Sequence, residues 1–219
     1  MTKEKCICTP HELLEQYKQD KTIIKDRLKE FRDMMKSSDE TIFSELVFCL
    51  FTPQSSAKKC DRAVRRLIDA NLLLEGESSD IAKEIRGVRF HNTKSARVIT
   101  ARNQFTENNR ISIKKRINSY SDNYELREWL IKNVDGLGYK ESSHFLRNIG
   151  LGFDMAILDR HILNNLKALD VIDCIPKSIS KSRYLSIERK LIEFSGKIGL
   201  SPAELDLLLW SKETGEVFK

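Results

Sequence analysis

A chain of 219 residues with 40% hydrophobic residues can bury a packed core as one large domain or two small ones, which argues against disorder. Its 38 Lys and Arg outnumber 32 Asp and Glu, and the net charge of +6 favours polyanionic partners. No apolar run reaches the ~18 residues of a membrane span, and "MTKEKCICTP" lacks the apolar stretch of a signal peptide, so we expect an intracellular protein.

The cysteine pattern does not indicate a metal site. The five cysteines are Cys6, Cys8, Cys49, Cys60 and Cys174, an odd number with no C-x-x-C pair. We therefore expect no metal, no iron–sulfur cluster and no other cofactor. Because Cys49 and Cys60 lie on apolar helix faces, we interpret them as small buried residues.

Helical periodicity dominates the chain, and no run shows convincing alternation with a period of two, so we predict an all-α fold. After Ser38, "DETIFSELVFCLF" predicts a helix that ends at Thr52-Pro53. The next helix, "SSAKKCDRAVRRLIDA", is expected to direct five residues inward: Ala57, Cys60, Val64, Leu67 and Ile68. Further helices are predicted at "SSDIAKEI", "NTKSARVITARNQF" and "DNYELREWLIKN".

The C-terminal part repeats this pattern in "DRHILNNLKALDVI", "SKSRYLSIERKLIEFSGKIG" and "SPAELDLLLWSKETGEVFK". The last of these has a strong start signal, with Ser201 as N-cap, Pro202 at the first helical position and Glu204 at the third. No Gly/Pro/Ser-rich linker divides the chain, so domain boundaries must lie in short loops. We place them near residues 36 and 152, which gives one helical domain over 36–152 and a second from 1–35 plus 153–219, flanking a cleft.

Residues 133–150, "NVDGLGYKESSHFLRNIG", have the pattern of a helix-hairpin-helix motif. Gly136 and Gly138 permit backbone angles that other residues avoid, and Gly150 closes the second helix. A glycine hairpin at a helix N-terminus presents N–H groups that can bind a phosphate oxygen without reading bases. An ordinary αα-hairpin with a tight glycine turn is the structural alternative.

Lys140 and Asp159 are candidates for chemistry. Lys140 follows the hairpin in the first turn of a helix, where the positive end of the helix dipole favours the neutral, nucleophilic amine. Asp159 follows the apolar "MAIL", and it could stabilise an electron-poor centre. An outgoing helix of ~15 Å and an extended return of up to ~30 Å allow both side chains to face one cleft. The alternatives are a solvated surface lysine and an N-cap aspartate.

On these residues the sequence resembles the helix-hairpin-helix DNA glycosylase superfamily, in which a lysine after such a hairpin and a downstream aspartate are catalytic. More narrowly, "GLGYKESSHFLRNIG", "AILDRHIL" and "ELDLLLWSKETGEVFK" resemble the Ogg2 branch of the 8-oxoguanine DNA glycosylases. This resemblance implies a bifunctional DNA glycosylase and AP lyase without a metal. Lys140 would attack C1′ of a flipped nucleotide to form a Schiff base, Asp159 would stabilise charge on the sugar, and β-elimination would cleave the strand.

The resemblance also implies residues for base recognition and DNA contact. Lys219 would help to distinguish 8-oxoguanine from guanine, and Trp210 would stack on the flipped base. The alternatives are a frayed terminus for Lys219 and core packing for Trp210. Gln54, Arg89 and Phe90 would form a wedge that fills the gap left in the duplex by the flipped nucleotide, and the alternative is that they are ordinary loop residues. His161 and Lys94 are candidate phosphate contacts, and a structural role is the alternative for His161.

Three rival functions remain open at the level of sequence. One is an endonuclease III-like glycosylase for other oxidised bases, although Cys174 stands alone where four clustered cysteines would be expected. The others are a non-catalytic helix-hairpin-helix DNA-binding module and an all-α protein-interaction domain. We expect a monomer that acts on double-stranded DNA containing 8-oxoguanine in the cytoplasm of a prokaryote, at the nucleoid, without a membrane.

Overall fold

The computed structural model describes residues 9–219, and the described part of the chain contains twelve helices and one short hairpin. The helices are α1 Pro10–Met34, α2 Asp39–Phe51, α3 Ala57–Asp69, α4 Leu72–Glu75, α5 Ser78–Glu84, α6 His91–Phe105, α7 Ile113–Ile117, α8 Asn123–Asn133, α9 Tyr139–Asn148, α10 Arg160–Ala168, α11 Lys181–Lys197 and α12 Pro202–Thr214. The antiparallel strands β1 Thr106–Glu107 and β2 Arg110–Ile111 form the hairpin. The prediction of an all-α fold is confirmed, with this hairpin as a small addition.

The chain forms two compact units. Arg32–Leu151 is one unit, and it contains α2 to α9 with the hairpin. Gly152–Lys219 and residues 9–31 form the other, which contains α10 to α12 and most of α1. Among residues 9–219, no helix is both long and apolar enough to cross a membrane. Cys6 and Cys8 lie outside the described residues.

Helix α2 is the centre of the unit Arg32–Leu151. All residues from Ile42 to Phe51 are buried, because α3, α6, α7 and α9 pack around this helix. Such a helix needs no polar face, which is why its sequence is apolar on almost every side. Its predicted N-cap is confirmed, since the Ser38 Oγ accepts a hydrogen bond from the Thr41 backbone N–H.

Helix α3 follows its predicted boundaries, but one predicted core residue is wrong. Cys60, Val64 and Leu67 are buried, whereas Ile68 is 46% exposed. At 100° per residue, Ile68 lies roughly 90° around the helix from the centre of the side formed by Cys60, Ala63, Val64 and Leu67. Asp61 lies on the same side as Ile68 and is buried, so angular position alone does not account for the exposure of Ile68.

In the second unit, two polar contacts join the long helix α1 to α12. The Tyr17 hydroxyl donates to Glu204 Oε1 (2.5 Å), and Ser211 Oγ donates to Asp20 Oδ2 (3.0 Å). The start of α12 is the predicted capping box, in which Ser201 Oγ accepts from the Glu204 N–H and Glu204 Oε2 accepts from the Ser201 N–H. Helix α1 itself was not predicted from the sequence.

Candidate active site

The helix-hairpin-helix motif has the predicted boundaries. Helix α8 ends at Asn133, α9 begins at Tyr139, and residues 134–138 form the turn between them. Gly136 has a φ of +92°, which side chains rarely adopt, so its glycine is required by the backbone. The prediction was wrong for Gly138, whose φ of −102° is open to any residue.

This difference between the two glycines is testable. We expect Gly136→Ala to destabilise the protein by about 1–3 kcal/mol and to weaken duplex binding, because the added Cβ strains a left-handed backbone. It would also lie 2.7 Å from the Arg97 side chain. The measurements are chemical denaturation and equilibrium binding. Gly138→Ala is the matched control, and equal losses in both variants would contradict the assignment.

Side chains on both sides hold this hairpin in place. Arg97 from α6 lies against the turn, with its Nε 3.2 Å from Asp135 Oδ2. Glu141 reaches back from α9 and accepts the backbone N–H of Gly138 at Oε2 (3.3 Å). The Gly138 donor is therefore used within the protein, so it is not one of the N–H groups that the first turn of α9 can offer to an anion.

A buried arginine joins the two helices of the motif. Arg127 on α8 is only 2% exposed, and its Nη1 donates to Ser143 Oγ on α9 (3.1 Å). Its guanidinium also lies 5.2 Å from the ring centres of Tyr124 and Tyr139. This residue holds α8 against α9, and from the pattern alone it is only an arginine in an amphipathic helix.

Lys140 is the second residue of α9, and its side chain is 21% exposed. Its Nζ lies 3.2 Å from Thr52 Oγ1 and 3.9 Å from Glu141 Oε1. The Thr52 hydroxyl gives its own hydrogen to the Cys49 carbonyl (2.9 Å), so it accepts from Lys140. When the Lys140 amine is neutral and donates a hydrogen to the Thr52 hydroxyl, its lone pair is still available for another partner.

Asp159 caps α10, which the sequence analysis left open as the structural alternative to a chemical role. Its Oδ1 accepts the Ile162 N–H (2.8 Å), and among the described residues only this oxygen takes part in the cap. Asp159 is half-buried and follows four buried residues, Met155–Leu158. The cap orients the carboxylate and leaves Oδ2 for a charge that develops on a substrate.

Trp210 and His161 are in contact between α10 and α12. Their rings meet edge to face at 5.4 Å, and His161 Nδ1 lies 3.7 Å from Glu213 Oε2. Asn165 steadies the cluster by donating from Nδ2 to the His161 carbonyl and to Glu213 Oε1. Among the described residues, the buried Nε1 of Trp210 has no hydrogen-bond partner.

The C-terminal tail is partly packed onto its unit. Helix α12 is followed by Gly215 as its C-cap, and the left-handed φ of +80° at this residue is typical of a glycine that ends a helix. Every residue from Glu216 to Lys219 is half-buried. A frayed end would be exposed, so this burial favours a tail with a defined position.

Gln54 and Phe90 share an unusual backbone conformation. Both have a left-handed φ, +55° and +59°, and both are exposed. Arg89 stacks its guanidinium 5.0 Å from the Phe90 ring centre, and its backbone N–H donates to Ser55 Oγ (3.0 Å). One hydrogen bond therefore joins the two segments that carry these exposed side chains.

The prediction that Lys94 contacts DNA phosphate is wrong. Lys94 is 1% exposed, and its Nζ donates to the carbonyl oxygens of Phe51 and Pro53 (both 2.7 Å) and lies 3.2 Å from Ser55 Oγ. A buried ammonium that is fully engaged with the protein cannot reach a phosphate. The apolar spacing of α6 could not reveal this, because the acceptors lie about forty positions earlier in the chain.

The buried cysteines match their predicted burial. Cys49 and Cys60 are both fully buried, and Cys174 is exposed. Cys60 is more than an apolar residue, because its Sγ donates to the Phe51 carbonyl (3.2 Å). Burial raises the pKa of its thiol to about 11, which keeps the group protonated.

Known proteins of the same size and fold match this chain almost end to end. A family model described as 8-oxoguanine DNA glycosylase matches residues 24–200. The 8-oxoguanine DNA glycosylase/AP lyase of Fusobacterium nucleatum is 40% identical over 204 residues, which are 93% of this chain and 94% of the relative.

Two solved structures are similar throughout. The 8-oxoguanine DNA glycosylase of Thermotoga maritima has a TM-score of 0.84 at 32% identity, covering 96% of this chain and 98% of that one. The Methanocaldococcus jannaschii 8-oxoguanine glycosylase/lyase, solved with a 15mer DNA containing 8-oxoguanine, has a TM-score of 0.85 at 34% identity, covering 94% and 99%. The resemblance to Ogg2-type helix-hairpin-helix glycosylases is thereby confirmed, and the chain belongs to the 8-oxoguanine DNA glycosylase family.

Proposed function

We propose that this protein removes 8-oxoguanine from double-stranded DNA and then cleaves the strand at the resulting abasic site. The observation that carries this proposal is the match to 8-oxoguanine DNA glycosylase/AP lyases over nine tenths of the chain. The geometry supports it, because a half-buried lysine stands in the first turn of the hairpin helix.

The proposed reaction begins at Lys140. Its neutral amine attacks C1′ of the deoxyribose, the bond from C1′ to N9 of the base breaks, and the base leaves with its electron pair and takes up a proton. Loss of a proton from the amine and opening of the sugar give a Schiff base. The β-elimination that follows removes a proton from C2′ and expels the 3′ phosphate, and water then releases the enzyme. No step requires a metal or a cofactor.

Asp159 acts in this proposal as a fixed negative charge beside the sugar. The carboxylate stabilises the cationic character that C1′ gains as the glycosidic bond breaks, and it can relay protons during elimination. Its cap on α10 holds it still, so no reorganisation of the carboxylate is needed during the reaction. We keep the division into a domain over 36–152 and a second from 1–35 plus 153–219 as part of the proposal.

Base recognition falls to Trp210 and Lys219. The half-exposed indole of Trp210 offers a face for stacking. The lesion differs from guanine by a hydrogen on N7, so an acceptor such as the terminal carboxylate of Lys219 would favour the lesion and oppose guanine.

Deleting Lys219 should therefore lower selectivity for 8-oxoguanine over guanine about tenfold to a hundredfold, because one hydrogen bond to a buried partner is lost. Cleavage of an abasic site, which has no base to read, should be nearly unchanged. Single-turnover rates on the two bases and on an abasic duplex measure this. Unchanged selectivity would place base recognition elsewhere in the protein.

The remaining DNA contacts are proposed on position and chemistry. Exposed Gln54, Arg89 and Phe90 would fill the space left by the flipped nucleotide, and half-exposed His161 would contact a phosphate. We further propose that the protein works as a monomer inside a prokaryotic cell, where it meets its DNA substrate.

Borohydride trapping tests the function directly. Reduction of a Schiff base joins the protein covalently to DNA, so wild type should give a cross-linked species on a duplex containing 8-oxoguanine and much less on an undamaged duplex. A duplex containing thymine glycol is the control for an endonuclease III-like activity. Trapping on thymine glycol but not on 8-oxoguanine would overturn the proposed substrate.

A further inference from the structure

Lys94 occupies a position that its predicted role does not explain. It lies on α6, it is among the largest fully buried side chains, and its Nζ is bound by the segment from Phe51 to Ser55. Burying a lysine is costly unless its donors are satisfied. Here two carbonyl oxygens and one hydroxyl surround the amine, so the site is built to hold it.

The same short segment contacts the proposed nucleophile. Thr52 lies between Phe51 and Pro53, the two residues whose carbonyls bind Lys94, and its hydroxyl accepts from Lys140 Nζ (3.2 Å). The segment links α2 to α3, and its φ of +55° at Gln54 is an unfavourable conformation that must be held by neighbouring contacts. Lys94 supplies the donors that hold it.

Ser55 extends the connection to a second exposed segment. Its Oγ lies 3.2 Å from Lys94 Nζ and accepts the backbone N–H of Arg89 (3.0 Å). Arg89 precedes Phe90, which has a left-handed φ like Gln54 and is also predicted to fill the gap in the duplex. Lys94 and Ser55 thus connect Thr52, whose hydroxyl accepts from Lys140, with the two segments that carry Gln54 and Phe90.

We propose that Lys94 is a positioning residue for the reaction, which holds the segment Thr52–Ser55 so that the Thr52 hydroxyl orients the amine of Lys140. The inference rests on the proposed function, because it assumes that Lys140 is the nucleophile. The orienting effect is simple: a neutral amine that donates one hydrogen to a fixed acceptor has its lone pair directed away from that acceptor.

Electrostatics add to this arrangement. The pKa of Lys94 is lowered to about 8, mainly by burial and to a smaller extent by Arg97 and Lys140, while Cys60 and Glu141 oppose this change. The geometry of the shared segment remains the basis of the proposal.

The experiment is a double-mutant cycle between Lys94→Met and Thr52→Val, measured by single-turnover base release and by borohydride trapping on the 8-oxoguanine duplex. We expect each single variant to lower the rate about tenfold to a hundredfold, and the double variant to be little slower than Lys94→Met alone, because both changes remove one effect. Binding to a duplex that carries an uncleavable abasic-site analogue is measured in parallel, and the rates are compared at saturating protein, so that a change in affinity through Gln54 or Phe90 does not enter the cycle. Lys83→Met, which removes an exposed lysine paired with Asp80, is the control.

A purely structural role predicts different results. It would lower the melting temperature while the folded variant keeps its rate, or it would give rate effects that multiply in the double variant, and either result overturns the proposal. If Lys94→Met does not fold, the cycle of Ser55→Ala with Thr52→Val decides, with a smaller loss of about threefold to tenfold expected for Ser55→Ala and multiplicative effects counting against the proposal. Failure of wild type to trap on 8-oxoguanine would instead overturn the proposed function.

Discussion

Replacing Lys140 with glutamine is expected to lower base release and strand cleavage at least about a thousandfold, because the variant has no amine to form the Schiff base. Duplex affinity should stay within about threefold of wild type, since phosphate contacts come from backbone N–H groups and other side chains. Glutamine can still donate from its amide toward Thr52, so the packing around the residue is largely retained.

Single-turnover assays on 8-oxoguanine and abasic duplexes measure the loss, and titration of a labelled duplex measures binding. Lys83→Gln is the matched control, because it removes an exposed lysine from the same unit without approaching the hairpin. Release of 8-oxoguanine by Lys140→Gln at a rate near that of wild type would show that another group is the nucleophile.

Asp159→Asn is expected to slow the reaction about a hundredfold to a thousandfold, because the substitution removes a negative charge from the side of the developing cation. The protein should lose no more than about 0.5 kcal/mol of unfolding free energy, since asparagine caps a helix about as well as aspartate. The amide oxygen can accept the Ile162 N–H as Oδ1 does now.

Asp159→Ala separates the two roles of this residue. It should be as slow as Asp159→Asn and, in addition, about 0.5–2 kcal/mol less stable, because the Ile162 N–H loses its acceptor. Denaturant titrations and single-turnover rates on all three proteins give the comparison. Full activity in Asp159→Asn would assign the residue to helix capping alone.

Local signals were sufficient for the elements that carry the proposed chemistry. The break "VDGLG", the cap at Asp159 and the capping box at Ser201 all have the predicted positions. Each depends on contacts within four or five residues, so the information lies in one short stretch of sequence. The same locality made the family resemblance visible in three short motifs.

Individual residues were misjudged where distant segments decide their environment. Ile68 has an apolar side chain at a plausible helical spacing, yet it is 46% exposed, although Asp61 on the same side of α3 is buried. Gly138 was interpreted by its residue type, while its actual φ depends on how the turn closes and on Glu141. The sequence pattern alone cannot distinguish Gly138, which has an ordinary φ, from Gly136, which has a left-handed φ.

The sequence by itself determined the helical class, most of the longer helices other than α1, and the glycine turn of the helix-hairpin-helix motif with Lys140 after it, because periodicity and turn signals are local properties. Only the tertiary structure decided the surroundings of Lys94 and the partner of Lys140. Lys94 is 39 positions from Ser55 in the chain, and Lys140 is 88 positions from Thr52. A lysine has the same local pattern on an exposed face and in a buried site, and folding alone brings it to water, phosphate or carbonyl oxygens.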